Sequence, residues 1–220
     1  MKFRACIFDL DGVIVNTAEH HFVAWKQLAE ELGVPFSETD NEKLKGVSRV
    51  ESLEYILRKG GLVLDPATKL QLMDRKNAHY LSLARQTKPS DALPGVLDLL
   101  HDLRSAGVGI ALGSSSKNAE LILDRLDIGS FFDVIVDGNR ITLSKPDPEV
   151  FLMGAKQLNL DPAHCLVFED AQSGIDAARA GGFPVIGIGN SDDLEGADLI
   201  ISGFKGLRWM ELVNLLDLKK

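Results

Sequence analysis

Two aspartates separated by a single leucine, Asp9 and Asp11, close the short apolar run Ala5-Cys6-Ile7-Phe8 and are followed at once by Gly12 and Val13. A continuous apolar run of this length, bounded by a turn signal, reads as a buried strand of the parallel type. Side chains alternate along an extended chain, so Asp9 and Asp11 share a side. In open parallel α/β sheets, ligands bind at the carboxyl ends of the strands. Two carboxylates at such an end repel each other unless a cation lies between them or one keeps a proton. The spacing therefore points to a metal. The plainer alternative is an Asp- and Gly-rich turn with no chemistry.

Other reactive groups stand at comparable places. Ser114, followed by Ser115, Ser116, Lys117 and Asn118, comes after the apolar stretch Val108 to Leu112 and opens a helical pattern. Lys145 stands just before Pro146, and Glu169-Asp170 ends the apolar run from Cys165 to Phe168. If these ends converge at one sheet edge, the site holds four carboxylates, a hydroxyl-rich helix N-terminus and a lysine. Carboxylates with a main-chain carbonyl and waters make an octahedral oxygen site suited to Mg²⁺. Hydroxyls and N–H groups at a helix start suit a phosphate, and Lys145 adds a mobile point charge. This is equipment for phosphoryl transfer, which is mostly positioning and charge neutralisation. Singly, each piece has a bland reading: a serine cap, a solvated loop lysine, an acidic N-cap.

The elements that must position these groups follow from periodicity. Thr17 is a candidate N-cap for a helix carrying Phe22, Trp25, Leu28, Ala29 and Leu32, closed by Gly33. A polar stretch from Ser37 to Lys43 follows. Helices are expected over Val50 to Lys59 and from Pro66 to about Gln86, and Lys88-Pro89-Ser90 reads as a linker. From Leu93 onward strands alternate with helices. The strands are Val108–Leu112, Phe132–Val136, Cys165–Phe168, Val185–Ile188 and Leu199–Ile201. The helices run from Pro94-Gly95 to Ser105, then over Lys117–Leu126, Asp147–Leu158, Ala171–Ala180 and Leu207–Leu216. Such alternation implies an α/β fold with a doubly wound parallel sheet. Residues 1–16 and 93–220 are thus expected to form a core, and 17–92 an all-helical insertion hinged at both ends.

The bulk numbers narrow the partners. The chain has 220 residues, 45% of them apolar, 25% charged, with a net charge of −8. That balance argues against nucleic acid or an anionic membrane as the main partner. The two cysteines, Cys6 and Cys165, both sit in apolar runs and read as buried hydrophobes in a reducing compartment. The first apolar run is broken by acids too soon for a signal peptide. A cytoplasmic monomer is the expectation.

Taken together, Asp9-Leu10-Asp11-Gly12-Val13, Ser114, Lys145 and Glu169-Asp170 resemble the four motifs of the haloacid dehalogenase superfamily, and the helical insertion resembles its C1-type cap. The resemblance covers essentially the whole chain. It implies a Rossmann-like core in which Asp9 is the nucleophile that forms an aspartyl-phosphate and Asp11 is the general acid/base, lending its carbonyl to Mg²⁺. Ser114 and Lys145 would hold the phosphoryl group, and Glu169 and Asp170 would complete the metal site with Asp9 and Asp11. An aspartate at position 11 speaks against the dehalogenase branch.

Within the superfamily the chain is similar to the β-phosphoglucomutases, through Asp9 to Trp25, Lys45-Gly46-Val47-Ser48-Arg49 and Arg75-Lys76-Asn77, together with Ser114 to Asn118. This implies interconversion of β-glucose 1-phosphate and glucose 6-phosphate through a bound 1,6-bisphosphate. His21 would hydrogen-bond Asp11. Lys45, Gly46, Arg49, Ser52 and Lys76 would line the cap side, with Thr17 and Trp25 nearby. Ser115, Ser116, Lys117 and Asn118 would meet the sugar phosphate from the core. Asn16 departs from the aspartate common at that place, at the expected hinge. A phosphatase of small phosphate esters is the alternative, and a non-catalytic sugar-phosphate sensor a third. As plain surface or packing residues, Lys45, Arg49, Lys76 and His21 would be unremarkable.

Overall fold

The computed structural model describes residues 2–190 and 194–218. Six strands form one sheet: β1 (Ala5–Phe8), β2 (Gly109–Gly113), β3 (Val134–Val136), β4 (Cys165–Glu169), β5 (Val185–Ile188) and β6 (Leu199–Ile201). Their spatial order is β3-β2-β1-β4-β5-β6, and every neighbouring pair is parallel. Because β1 and β4 are covered on both faces, their sequences are continuously apolar rather than alternating. Cys6, Phe8, Leu112 and Phe168 pack on one face beneath α5 (Val96–Ser105), α6 (Ala119–Leu126) and α9 (Trp209–Leu218). Ile7, Ala111 and Val167 pack on the other beneath α7 (Glu149–Gln157) and α8 (Gln172–Ala180). The order of the strands reverses between β1 and β4, and in doubly wound sheets a ligand crevice opens at that point.

The register levels the chemistry. Phe8 lies opposite Phe168 and Leu112, so Asp9 and Glu169 each follow a paired phenylalanine by one residue. The Phe8 and Phe168 rings stack at 4.6 Å, and Phe204 meets both edge-on. Asp9 N–H extends the ladder by donating to Phe168 O at 3.0 Å.

Four helices precede this set: α1 (Ala18–Glu31), α2 (Glu38–Glu42), α3 (Arg49–Lys59) and α4 (Pro66–Ala84). They enclose their own apolar cluster of Trp25, Leu28, Leu53, Ile56 and Leu72, which makes them the helical cap expected from the sequence. Its two connections to the sheet run side by side: Val15 bridges Ala92, and Leu93 N–H donates to Ile14 O at 2.8 Å.

Boundaries moved where side chains compete for backbone groups. The polar stretch Ser37 to Lys43 contains α2, closed by a reciprocal box in which Ser37 accepts from Asp40 N–H and Asp40 accepts from Ser37 N–H. A second box between Ser48 and Glu51 starts α3 at Arg49. The expected helix start at Lys117 slips to Ala119, because Ser114 Oγ and Ser116 Oγ accept the N–H groups of Ser116 and Asn118 and hold that stretch as a turn. The fourth strand is one residue longer than expected and includes Glu169.

Replacing Phe168 by Ala is expected to cost about 3–5 kcal/mol of unfolding free energy, through the cavity and the lost ring stack. Denaturant unfolding monitored by Trp fluorescence checks this; a loss below about 1 kcal/mol would show that the aromatic stack does not hold β1 against β4.

Candidate active site

Asp9 and Asp11 leave the end of β1 in a tight turn. Gly12 adopts φ +85°, and a Cβ there would come within 2.1 Å of Asp170 Oδ2. The turn therefore presses directly on the Glu169-Asp170 pair at the end of β4. Lys145, fully buried, reaches the same point from the segment after β3. Its Nζ donates to Asp9 Oδ1 at 2.5 Å and also to Glu169 Oε1. Glu169 Oε2 accepts Ala171 N–H at 3.0 Å.

The charges decide the protonation. Burial pushes the Asp9 carboxyl well up, Lys145 opposes the rise, and Glu169, Asp11 and Asp170 add to it. Burial raises Asp11 to about 6, against the pull of Lys145 and Lys76. Burial and then Glu169 raise Asp170 to about 7, with Lys45 opposing. Burial alone would lower Lys145; Asp9 and Glu169 outweigh it and raise the ammonium instead. Four acids thus meet two ion-paired lysines, Lys145 and Lys45, at this edge. Its donors are all oxygens, a set that fits a hard divalent cation. Among the described residues, no three His, Cys, Asp or Glu side chains converge as a closed metal cluster.

Ser114 is buried, and its Oγ accepts Ser116 N–H at 3.1 Å. Both Ser114 and Ser116 hydroxyls thus accept from the backbone and keep their own O–H to donate. The buried Ser115 Oγ has no hydrogen-bond partner among the described residues. These three hydroxyls at one turn are donors suited to an anion.

A cavity of about 700 Å³ lies between this edge and the cap. Asp9, Asp11, Ser114, Ser115, Ser116, Lys117, Asn118, Glu169 and Asp170 line it from the core. His21, Trp25, Lys45, Gly46, Arg49, Ser52 and Lys76 line it from the cap. The predicted Thr17 and Lys145 stand immediately behind, touching Asp11 and Asp9. Every residue singled out from the sequence for the site is therefore at this one place.

Details differ from expectation. Thr17 occupies the N-cap position of α1, but its hydroxyl does not cap the helix; it donates to Asp11 Oδ1. The hydrogen bond at Asp11 that was expected of His21 thus comes from Thr17. His21 turns Nδ1 to Lys76 Nζ, 2.8 Å away, because α4 packs on α1 there, with the Tyr80 ring centred 4.2 Å from the imidazole and tilted 37° to it. Ser52, though at the cavity wall, donates its hydroxyl back to Ser48 O at 2.9 Å. Arg75, from the same segment as Lys76, pairs outward with Glu31. Asn16 is exposed beside the paired connections.

Two further contributors are Asn77, named in the sequence only as part of the segment Arg75-Lys76-Asn77 and given no role, and Tyr80, which was passed over. Asn77 Oδ1 accepts from Arg49 Nη2 at 2.7 Å and from Asn118 Nδ2 at 3.0 Å, tying the cap arginine to the core. Tyr80 supports both His21 and the Lys76 ammonium, 5.1 Å from its ring. The available signal was helical spacing: Tyr80 lies one turn beyond Lys76 on the same face. A further core–cap contact joins Ser144 Oγ to Glu51 Oε2 at 2.6 Å.

Comparison with known proteins matches residues 3–182 to the family model for haloacid dehalogenase-like hydrolases. The chain is 46% identical over 200 residues to a β-phosphoglucomutase of Bacillus subtilis, covering 90% of this chain and 88% of that one. It is 32% identical to a phosphorylated carbohydrates phosphatase of Thermotoga maritima, over 97% and 98% of the two chains. The solved structure of a β-phosphoglucomutase from Clostridium difficile superimposes with a TM-score of 0.94 at 39% identity, over 98% of each chain.

Burial, with help from Arg49, lowers Lys76 from 10.5 to about 7. Between those values the unfolded chain binds a proton that the folded one lacks, so this group makes stability rise with pH. The stability of the parent relative to Lys76→Met should therefore rise by more than about 1 kcal/mol between pH 7 and pH 10. Denaturant unfolding at three pH values checks it, and parallel curves would contradict it.

Proposed function

The chain belongs to the haloacid dehalogenase-like hydrolases, and on that premise we propose that it is an Mg²⁺-dependent β-phosphoglucomutase. It would interconvert β-glucose 1-phosphate and glucose 6-phosphate through an aspartyl-phosphate on Asp9 and a bound glucose 1,6-bisphosphate. The observation that carries the reading is a cavity with the acidic Asp9 edge at its core end and basic side chains at its cap end. Lys145 and the Ser114 turn serve Asp9 in the core, while Arg49 and Lys76 face the same space from the cap. A mutase must hold one phosphate while the other transfers, and the guanidinium fork of Arg49 suits phosphate oxygens.

In one half, Asp11 takes the proton from the 6-hydroxyl of β-glucose 1-phosphate, and that oxygen attacks the aspartyl-phosphate as the Asp9 carboxylate leaves, giving the 1,6-bisphosphate. In the other half, with the bisphosphate turned round, a carboxylate oxygen of Asp9 forms a bond to the phosphorus carried on C1 as the sugar oxygen leaves. Asp11 gives that oxygen its proton, so glucose 6-phosphate departs and the aspartyl-phosphate is restored. A carboxyl raised to about 6 can serve as acid and base near neutral pH. Thr17 holds Asp11 in place through its hydroxyl. Lys145 offsets repulsion between Asp9 and the incoming phosphate. Ser114, Ser115 and Ser116 donate to the phosphoryl oxygens. Mg²⁺ held by Asp9, Asp11, Glu169 and Asp170 would neutralise charge on the transferring group.

Residues 17–92 would act as the moving cap, hinging near Asn16 and residues 88–92. Closure would exclude water from the aspartyl-phosphate, and opening would let the bisphosphate turn round. A phosphatase is the second reading, favoured by the similarity to the Thermotoga enzyme.

The two are separated by following β-glucose 1-phosphate with a trace of the 1,6-bisphosphate by ³¹P NMR. Glucose 6-phosphate is expected to accumulate; inorganic phosphate in its place would establish the phosphatase. Arg49→Ala should lower mutase turnover by roughly tenfold to a hundredfold, the worth of a charge-assisted phosphate contact. Phosphorylation of Asp9 by acetyl phosphate should be largely retained. Equal loss of both would mean that Arg49 is structural.

A further inference from the structure

Lys45 makes contacts that the chemistry above does not use. Its Nζ lies 2.8 Å from Glu42 Oε2, within the cap, and 3.4 Å from Asp170 Oδ2, in the core. Its main-chain carbonyl accepts from Ser173 Oγ at 2.9 Å. Ser173 lies in the first turn of α8, three residues beyond Asp170. The next residue, Gly46, adopts φ +74°, and a Cβ there would come within 2.4 Å of Ser173 Oγ. The Lys45-Gly46 turn is thus seated tightly on the element that carries Asp170. The seat delivers an ammonium to that carboxylate when the cap is closed. Lys45 and Asp170 also line a second cavity of about 740 Å³ on the far side of the same contact.

Three of the four acids of this edge have a cation beside them: Lys145 serves Asp9 and Glu169, and Lys45 serves Asp170. The two lysines differ in freedom. Lys145 is sealed, whereas the Lys45 side chain is 26% exposed and has Glu42 as a second partner. Only Lys45 can leave its core carboxylate without stranding a buried charge.

We propose that Lys45 competes with the divalent cation for Asp170, closing the cap onto the acid when the cation is away and being released to Glu42 and the sugar-phosphate cavity when it arrives. The inference rests on the reading that Asp170 helps to hold Mg²⁺. By linkage, whatever the ammonium gains at Asp170 is subtracted from the affinity for the cation. The same side chain then becomes free for substrate only after the cation is in place, which orders cation before sugar phosphate.

The test titrates Mg²⁺ alone into the chelator-treated full-length protein by calorimetry, without sugar phosphate, for the parent, Lys45→Gln, Lys45→Arg and Lys117→Gln. Lys45→Gln is expected to bind Mg²⁺ roughly threefold or more tightly than the parent, the scale of a partly exposed ion pair. Lys45→Arg, which keeps the charge, should stay near the parent. Lys117→Gln, which removes another cavity lysine, should also stay near it. An unchanged or weaker Kd in Lys45→Gln overturns the inference. So does an equal tightening in Lys117→Gln, which would make the effect a general field, or in Lys45→Arg, which would make it packing. If the parent binds no Mg²⁺ at all, the metal reading itself falls and the inference with it; binding with equal Kd values sinks the inference alone.

Discussion

A buried ammonium shared by two buried carboxylates is the constraint on which this structure depends. Lys145 is fully enclosed, with Asp9 and Glu169 as its partners. None of the three could be buried charged without the others, since an isolated ion inside a protein costs several kcal/mol even after relaxation. The triad therefore requires β1 and β4 to be neighbours, with Asp9 and Glu169 level at their ends. The Phe8–Phe168 stack one residue below sets that level. It also requires the chain after β3 to come back over the sheet edge and insert a lysine.

The triad leaves the local charge unbalanced. Asp11 and Asp170 remain, both raised by burial. Each has found a partner from the cap side of the chain: Thr17 for Asp11, Lys45 for Asp170. Packing of the helical insertion onto the core and the electrostatics of the sheet edge are thus one problem. The cap contributes cations and hydroxyls to an acidic rim, and the rim gives the cap partners to pack against. The ties at Asn77–Asn118 and Glu51–Ser144 add neutral or exposed hydrogen bonds to the same seam. Arg49 is fixed in that seam twice, by the Ser48 box that starts α3 beneath it and by Asn77.

Much of this was legible in the amino-acid sequence. Apolar runs ending in acids gave the core strands, because strands buried on both faces have no polar positions to blur them. Repeated Gly and Pro punctuation separated the helices. The acids, the serine turn and the lysine were each visible as polar residues at strand ends or helix entries, where chemistry is tolerated. The helix α2 was not legible, since its five residues hold no apolar stripe and its stability comes from a capping box. Nor was the role of Thr17, whose residue type and position both fit an ordinary cap.

The sequence by itself determined which residues could do chemistry and the order of elements carrying them, since composition and periodicity are local properties. Only the tertiary structure decided who partners whom. The pairing of Lys145 with Asp9 spans 136 residues, and that of Lys76 with His21 spans 55. Such contacts are chosen by burial, which rewards arrangements of strands and helices that give buried polar groups a partner. The same force turned Thr17 from a helix cap into the partner of Asp11, and Lys45 from a surface lysine into the cation at Asp170.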